Sequence, residues 1–566
     1  MIASLPPGLL LILGAVLVPL LRGRVQNAYL VALPVASLLH VLLLFGAPGD
    51  HLSLSMFDYS LSLVRVDRLS LVFGLIFHIA GLLSVIYALH VRDNVQHISG
   101  LVYAGAGIGA VFAGDLITLF VYWELTALSS VFLIWASRTE RSYRSGMRYL
   151  IIQVGSGVIL LSGILFHVHE TGSIAFDHLG LGSIGRNLIF IAFGIKCAFP
   201  LLHNWLQDAY PEATPTGTVF LSAFTTKLAV YALARSFAGT EILIYIGVTM
   251  TLFPIYFAVI ENDLRRVLSY SLNNQLGFMV VGIGVGTELA LNGTAAHAFA
   301  HILYKSLLFM SMGAVLHRVG TVKASELGGL YKSMPFTTVC CVIGAASIAG
   351  FPLLSGFVSK SMILSAVGEG HMTIVFLGLL FASAGVMEHS GIKIPFFAFF
   401  GHDSGKRCEE APWNMRIAMG ATAALCLFIG IVPGPLYSIL PYPVGYQPFT
   451  VEHVVTSFQL LLWAALAFAV LMRTGFYPQE TPSVNLDTDW VYRRILPTMY
   501  GSLRQGASAS FAASSAMVRG QLAKAIESVY HSAGPYGLFA RTWPTGNTVL
   551  WVSLILSAFL LVYYTR

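Results

Sequence analysis

Leu116-Ile117-Thr118-Leu119-Phe120-Val121-Tyr122-Trp123-Glu124-Leu125-Thr126-Ala127-Leu128-Ser129-Ser130-Val131-Phe132-Leu133-Ile134-Trp135 carries one charge, Glu124, near the middle of an otherwise uncharged, mostly apolar run. About 20 such residues, rising about 1.5 Å each, cross a hydrocarbon core of about 30 Å, so the run predicts a transmembrane helix with a carboxylate at mid-depth. A charge there costs about 2.5–3.5 kcal/mol on insertion scales and needs a partner or a task. Working outward, similar windows recur from residue 3 to residue 472 with only short polar breaks. Composition agrees: 56% of the 566 residues are hydrophobic and 10% charged, and the mean hydropathy is +0.76. Those values exclude an ordinary soluble domain.

The windows predict an all-α polytopic membrane protein with helices near 3–21, 28–47, 69–90, 98–113, 115–135, 148–167, 187–211, 214–235, 241–260, 272–289, 294–317, 335–368, 372–400, 414–438, 453–472 and 547–563, about sixteen in all. The first window lacks a basic n-region and a small-residue cleavage site, so it reads as a retained helix rather than a signal peptide. Basic residues follow the odd helices: Arg22 and Arg24, Arg92, Arg138 with Arg141 and Arg144, Arg265 with Arg266, Arg318 with Lys323, Lys406 with Arg407, and Arg473. Odd loops are therefore expected in the cytoplasm and the N-terminus on the other side, with Arg235 the main exception.

Two helices carry breaks, at Pro200 and Pro211 in 187–211 and at Gly350, Pro352 and Gly356 in 335–368. Proline removes a donor and clashes with the preceding turn, which frees polar backbone that is tolerated only inside protein or beside a hydrated cavity. The breaks hold the same ordinal place in two five-helix blocks, a pattern expected of inverted-topology repeats. The expected organisation is 1–97 as N-terminal transmembrane helices, 98–235 and 241–400 as the repeats, and 401–472 as C-terminal transmembrane helices. Residues 473–546 follow as an amphipathic segment on the cytoplasmic side, with roughly 500–530 as an interfacial helix, and 547–566 hold a final transmembrane helix.

Further charges lie in the apolar windows. Lys196 precedes Pro200 by four residues, Lys227 lies mid-helix, and Lys360 follows the second break. His297, His301 and Lys305 recur at intervals of four, which turns about 40° per step and lines them on one face over about 12 Å. Glu388, His389 and Lys393 extend the set towards a charged loop, where a side chain also has the option of snorkelling to water. Desolvated lysines and histidines exchange protons near physiological pH, so Glu124, Lys196, Lys227, His297, His301, Lys305, Lys360 and Lys393 read together as a proton relay. A carboxylate beside Lys196 holds that lysine charged, which suits Glu124 to be a switch. Taken singly, a Lys–Glu pair that only fixes helix packing and a histidine bonded to a carbonyl are the structural alternatives.

The formal charge of +6 lies in loops, without basic–aromatic interleaving, so nucleic acid is not an expected partner. The five cysteines have no CxxC spacing, and no Rossmann, haem or iron–sulfur pattern is present, so no cofactor is expected and the chain reads as a translocating subunit rather than an enzyme. No acidic cluster has hard-cation spacing in the membrane, so no stable metal site is expected.

These segments resemble the antiporter-like subunits shared by respiratory complex I and the Mrp-type multisubunit monovalent cation/proton antiporters, over roughly residues 65–400. Asp115 to Leu125 is similar to the fifth-helix signature of that family, Lys196 to Asp208 with Pro215-Thr216 to its broken seventh helix, and Asp263 to Ser271 to the loop before its tenth. His297 to Gly313 and Phe357-Val358-Ser359-Lys360 look like its eleventh and broken twelfth helices. The resemblance implies Glu124 and Lys196 as a functional pair, Lys227 as a connecting lysine, His301 and Lys305 as the central relay, and Lys360 as the terminal lysine. Within the family the sequence looks nearest to the D-type subunits of the antiporters, and the segment after Arg473 resembles the lateral helix of the distal complex I subunit.

The leading expectation is a proton-translocating subunit of a Na+/H+ antiporter in a bacterial inner membrane, partnered by other membrane subunits and the lipid bilayer. A proton-pumping module of a redox complex (quinone oxidoreductase or membrane hydrogenase type) and a membrane subunit of an inorganic-carbon uptake complex are the alternatives. Neighbouring iron–sulfur proteins distinguish the first alternative, and a large zinc-containing partner the second.

Overall fold

The computed structural model describes residues 5–478, 480, 481, 485 and 487–565, so residues 3 and 4 of the first expected helix, and parts of 473–546, lie outside it. The chain forms two units that divide after Asn485. The first unit opens with α1 (Leu9–Gly14), which tightens into a 3-10 turn over Ala15–Leu20, and α2 (Gly23–Leu44). A hairpin of β1 (Gly49–Met56) and β2 (Tyr59–Val66) follows. The apolar-window reading missed it, although Leu52, Leu54 and Met56 alternate with Ser53 and Ser55, the two-residue period of a strand. Helices α3 (Arg68–Ala88), α4 (Asn94–Val111), α5 (Leu116–Trp135), α6 (Glu140–Thr171), α7 (Ile184–Lys196), α8 (Asn204–Ala209), α9 (Gly217–Ala223) and α10 (Thr225–Ser236) come next.

The second half repeats the alternation: α11 (Ile242–Ile260), α12 (Leu264–Val285), α13 (Glu288–Val319), α14 (Pro335–Ala349), α15 (Ser355–Glu369) and α16 (Thr373–Val386). Helix α16 continues through π-helical turns at Met387–Ile392 and Phe396–Phe400 that flank α17 (Lys393–Pro395). The unit closes with α18 (Trp413–Ile431), α19 (Gly434–Ser438) and α20 (Val451–Thr474). The second unit holds α21 (Leu496–Ala533), none of whose described residues is buried, and α22 (Thr545–Tyr564). Among the described residues, eleven helices are long and apolar enough to cross a membrane, and Leu9–Leu20 and Pro335–Ala349 are shorter apolar helices. The protein is an all-α membrane protein apart from the hairpin.

Several helices run past their apolar windows because their ends are capped. Helix α6 begins at 140 rather than 148, where Thr139 and Ser142 form a capping box, and α12 begins at 264 rather than 272, where the Asp263 carboxylate accepts the amides of Arg265 and Arg266. Arg265, which sequence alone counts as a loop charge, is in fact buried. Its guanidinium donates to the carbonyls of Tyr210, Pro211, Ala213 and Thr214 and contacts the Thr218 hydroxyl, so it serves the backbone freed at the end of α8. Arg235 is matched by Asp67 at 2.7 Å. Burial pushes the Asp67 carboxyl up, but Arg235, the Ser70 amide and Arg65 outweigh it and hold the group below its usual range.

Both expected breaks are present, and they share a device. Phe199-Pro200-Leu201-Leu202 and Phe351-Pro352-Leu353-Leu354 are the same tetrapeptide. In each, the leucine after proline is left-handed, Leu201 at φ 69° and Leu353 at φ 71°. The residue before the phenylalanine is left-handed too, Ala198 at φ 60° and Gly350 at φ 83°. Proline alone kinks a helix. Here two left-handed residues three apart reverse the winding twice and leave a non-helical gap. The halves match elsewhere: Asp115 bridges Ala175 and Asp263 bridges Lys323, at the same sequence separation, each aspartate capping the helix that follows.

Candidate functional site: a buried row of charged side chains

The breaks, together with a polar stretch of α12, position the charged groups. Lys196 ends α7 just before the first break, fully buried; its Nζ donates to the Trp123 carbonyl at 2.5 Å and Thr126 Oγ1 at 2.9 Å and lies 4.3 Å above the Trp123 ring. Trp123 and Thr126 belong to α5, so Lys196 is held by the helix that carries Glu124. The Glu124 carboxylate itself points to α6. It occupies the space above Gly157, where a Cβ would coincide with its Oε1, and that oxygen is buried without a hydrogen-bond partner. Glu124 and Lys196 interact electrostatically, yet no ion pair within 4 Å joins them among the described residues.

Gly157→Ala therefore forces the end of a flexible side chain to move and leaves backbone undisturbed. The expected result is a several-fold change in transport by an assembled complex, read as proton flux in vesicles. An unaltered flux would show that the position of Glu124 is immaterial.

Lys227 lies in α10, fully buried, and its Nζ donates to the Ser222 carbonyl at 2.6 Å, next to the discontinuity between α9 and α10. Cys197 lies within electrostatic reach of Lys227; no described hydrogen bond links Lys196 to Lys227. His297, His301 and Lys305 fall on one buried face of α13, as their spacing predicts. The rings of His297 and His301 are 6.2 Å apart, and Tyr304 stands 5.3 Å from His301. Both ring nitrogens of His301 lack hydrogen-bond partners, although Lys227, Lys305, His297 and Lys360 all lie within electrostatic reach.

From His297 the row continues to the second break. His297 Nδ1 lies 3.0 Å from Ser359 Oγ, the neighbour of Lys360 in α15. Lys360 Nζ donates to the Ile348 carbonyl at 3.0 Å, the last turn before the gap. Its side chain lines a cavity of about 360 Å³ together with Ser361, Ser365, Glu369, Glu452 and His453. In the other direction, Lys305 Nζ donates to the Leu268 carbonyl at 3.2 Å and Ser271 Oγ at 2.9 Å. Ser390 Oγ donates to the same Ser271 Oγ at 2.7 Å, and His389 Nδ1 lies 2.9 Å from Ser390 Oγ. Lys393, fully buried, donates to the carbonyls of Val259 at 2.6 Å and Glu261 at 2.7 Å; it does not snorkel to water.

Sequence reasoning passed over the linking residues. Ser271 and Gln275, with Ser269, Asn273 and Asn274, form a buried polar run in α12, and Tyr304 donates to Gln275 Oε1 at 3.1 Å. Five amide and hydroxyl side chains within seven residues of an apolar helix were the available signal. Ser359 and Ser390 had none beyond lying next to a charged residue.

A helical membrane protein with paired broken helices and a buried row of Lys, His and Glu is the class that this fold and site define. The model of the transmembrane region of NADH:quinone oxidoreductases and Mrp antiporters matches residues 113–386. The match takes in just under half of the chain, and this stretch is similar to the antiporter-like membrane subunits which that description covers. A relative from Rhizobium meliloti (strain 1021), described as a probable K(+)/H(+) antiporter A/B subunit, is 31% identical over 402 residues, 65% of this chain and 40% of that protein. This chain thus spans less than half the length of that relative. The D-type subunit of the Na(+)/H(+) antiporter of Alkalihalophilus pseudofirmus is 29% identical over 359 residues, 59% of this chain and 72% of that protein. Among solved structures, the Mrp complex from Dietzia sp. DQ12-45-1b contains a chain that superposes with a TM-score of 0.71 at 20% identity, covering 83% of this chain and 99% of that one, a likeness of fold.

Proposed function

We propose that this chain is the proton-conducting membrane subunit of a multisubunit monovalent cation/proton antiporter, with sodium as the cation and other membrane subunits as partners, in a bacterial inner membrane with its N-terminus outside. Protons move along Glu124, Lys196, Lys227, His301, Lys305, His297 and Lys360, with Lys393 as a second end of the row. One observation carries this reading: Lys196, Lys227, His297, His301, Lys305 and Lys360 are each at most 4% exposed, although each can carry charge. Burying so many ionisable groups for packing alone is costly, whereas groups that pass a proton need one charge among several at a time. Similarity to proteins described as K(+)/H(+) and Na(+)/H(+) antiporter subunits supports the class of transport.

On this reading 98–235 and 241–400 act as inverted repeats, each bringing a broken helix to the row; the matched aspartate bridges and the repeated tetrapeptide support that division. The Glu124–Lys196 pair acts as a switch, since a neighbouring carboxylate holds the lysine charged and its withdrawal favours proton release.

The test is proton flux and counter-cation flux in vesicles containing the intact complex. Lys196→Ala and Lys227→Ala are expected to lower proton flux at least about tenfold, a barrier increase of about 1.4 kcal/mol, with the complex still assembled. Flux equal to that of the unaltered complex in both variants would falsify the relay. Exchange driven by potassium and not by sodium gradients would reassign the cation and leave the relay standing.

A further inference from the structure

Lys393 sits in a cluster that draws one partner, Glu480, from well beyond the helices matched to the family. Helix α20 ends at Gly475, whose φ of 76° turns the chain back on itself. Tyr477 is then buried against the rings of Phe397 and Phe468, at 6.1 and 5.1 Å, with its amide donating to the Leu471 carbonyl at 3.0 Å. This return delivers Glu480 Oε1 to 2.8 Å from Lys393 Nζ, with the Glu480 side chain 6% exposed. Asn485 Nδ2, farther along, donates to Glu261 Oε2 at 3.3 Å.

The groups facing this pair are Glu388 and His389 from the π-helical turn after α16, Glu261 before α12, Arg266 of α12, and Tyr477 from the returning chain itself. Arg266 lies 3.9 Å from Glu261. Three carboxylates, Glu261, Glu388 and Glu480, thus face one permanent cation, Arg266, and two titratable bases, Lys393 and His389. With Lys393 charged, one further proton on a carboxylate or on His389 balances that count. Burial raises the Glu480 carboxyl above the ordinary range, and Lys393 works against that rise.

The π-helical winding is what joins the cluster to the interior. Such turns shift side-chain register within a helix and are frequent at functional positions. Here His389 is turned inward to Ser390, which bonds Ser271 and through it Lys305, while Lys393 four residues later reaches Glu480. His389 Nε2 has no hydrogen-bond partner.

Resting on the relay reading above, we propose that Glu480 is the proton-exchanging residue at the basic-loop end of the row, handing protons between water and Lys393. In the inward step protonated Glu480 gives its proton to the neutral Lys393 amine, leaving carboxylate and ammonium. Water then reprotonates Glu480, while Lys393 passes its proton to His389 and on through Ser390 and Ser271 towards Lys305. Glu480 lies outside residues 113–386, the span of the family match, so the assignment is particular to chains that return in this way after α20.

The experiment measures proton flux against pH in vesicles holding the intact complex, with assembly checked by size-exclusion chromatography. Glu480→Gln is expected to lower flux at least tenfold at every pH. Glu480→Asp keeps a titratable group and is expected to retain part of the flux. The double variant Lys393→Gln with Glu480→Gln removes the buried charge mismatch. A pair that only holds structure regains flux in the double variant, and that result overturns the proposal; an assembled but inactive double variant supports it. Lys196→Ala separates the two readings: loss of flux there with normal flux in Glu480→Gln discards Glu480 alone, and normal flux in both discards the relay itself.

Discussion

Lys305→Ala is expected to lower proton flux about a hundredfold, equivalent to a barrier about 2.7 kcal/mol higher. Lys305 stands where the row branches. It shares a face with His301 and His297, lies within reach of Lys227, and bonds Ser271, which continues to Ser390 and His389. Its loss removes the group that joins the α13 face to the Ser271–Ser390–His389 branch. Lys305→Arg makes the test sharper. Arginine keeps the positive charge and can still donate to the Leu268 carbonyl, but it does not give up its proton in proteins. If Lys305 carries protons, the arginine variant is as inactive as the alanine variant; if it only supplies charge or packing, arginine restores most of the flux. Vesicle acidification with each variant decides between them.

Arg265→Ala is the second large effect, and it falls on stability rather than on transport. The guanidinium is buried and serves four backbone carbonyls between Tyr210 and Thr214, the stretch where α8 ends. Truncating a buried, hydrogen-bonded charge costs about 2–5 kcal/mol, mainly because its partners are left unsatisfied. The complex is expected to lose apparent Tm in detergent and to dissociate at lower temperature. Arg265→Lys should recover only part of the loss, since one ammonium on a flexible stem does not span the carbonyls that a planar fork reaches. A thermal transition unchanged in Arg265→Ala would mean that water serves these carbonyls equally well.

The legible part of this protein was the part written in hydropathy. Every apolar window of the expected length contains a helix, and the buried charges stood out because a charge in such a window is conspicuous at once. Both chain breaks were legible from Pro200 and Pro352, though their form was not. The left-handed residues Ala198, Leu201 and Leu353 carry side chains that disfavour that conformation, so nothing local announces it. The hairpin at 49–66 was overlooked because a search for long apolar runs is blind to a two-residue alternation. Arg265 was misread because a charge at the edge of an apolar window looks the same whether it faces water or turns inward.

Sequence by itself therefore determined the solvent of the chain, its helical class, and which side chains must be sheltered from lipid, since all three follow from transfer free energies that each residue carries with it. Only the tertiary structure decided which sheltered groups meet. Glu124 rests over Gly157 rather than against Lys196, Ser271 joins Lys305 to Ser390, and Glu480 comes back from beyond α20 to find Lys393. Those meetings depend on angstrom-scale distances between residues from a few tens to more than a hundred positions apart, set by how the helices pack, and no local preference along the chain encodes them.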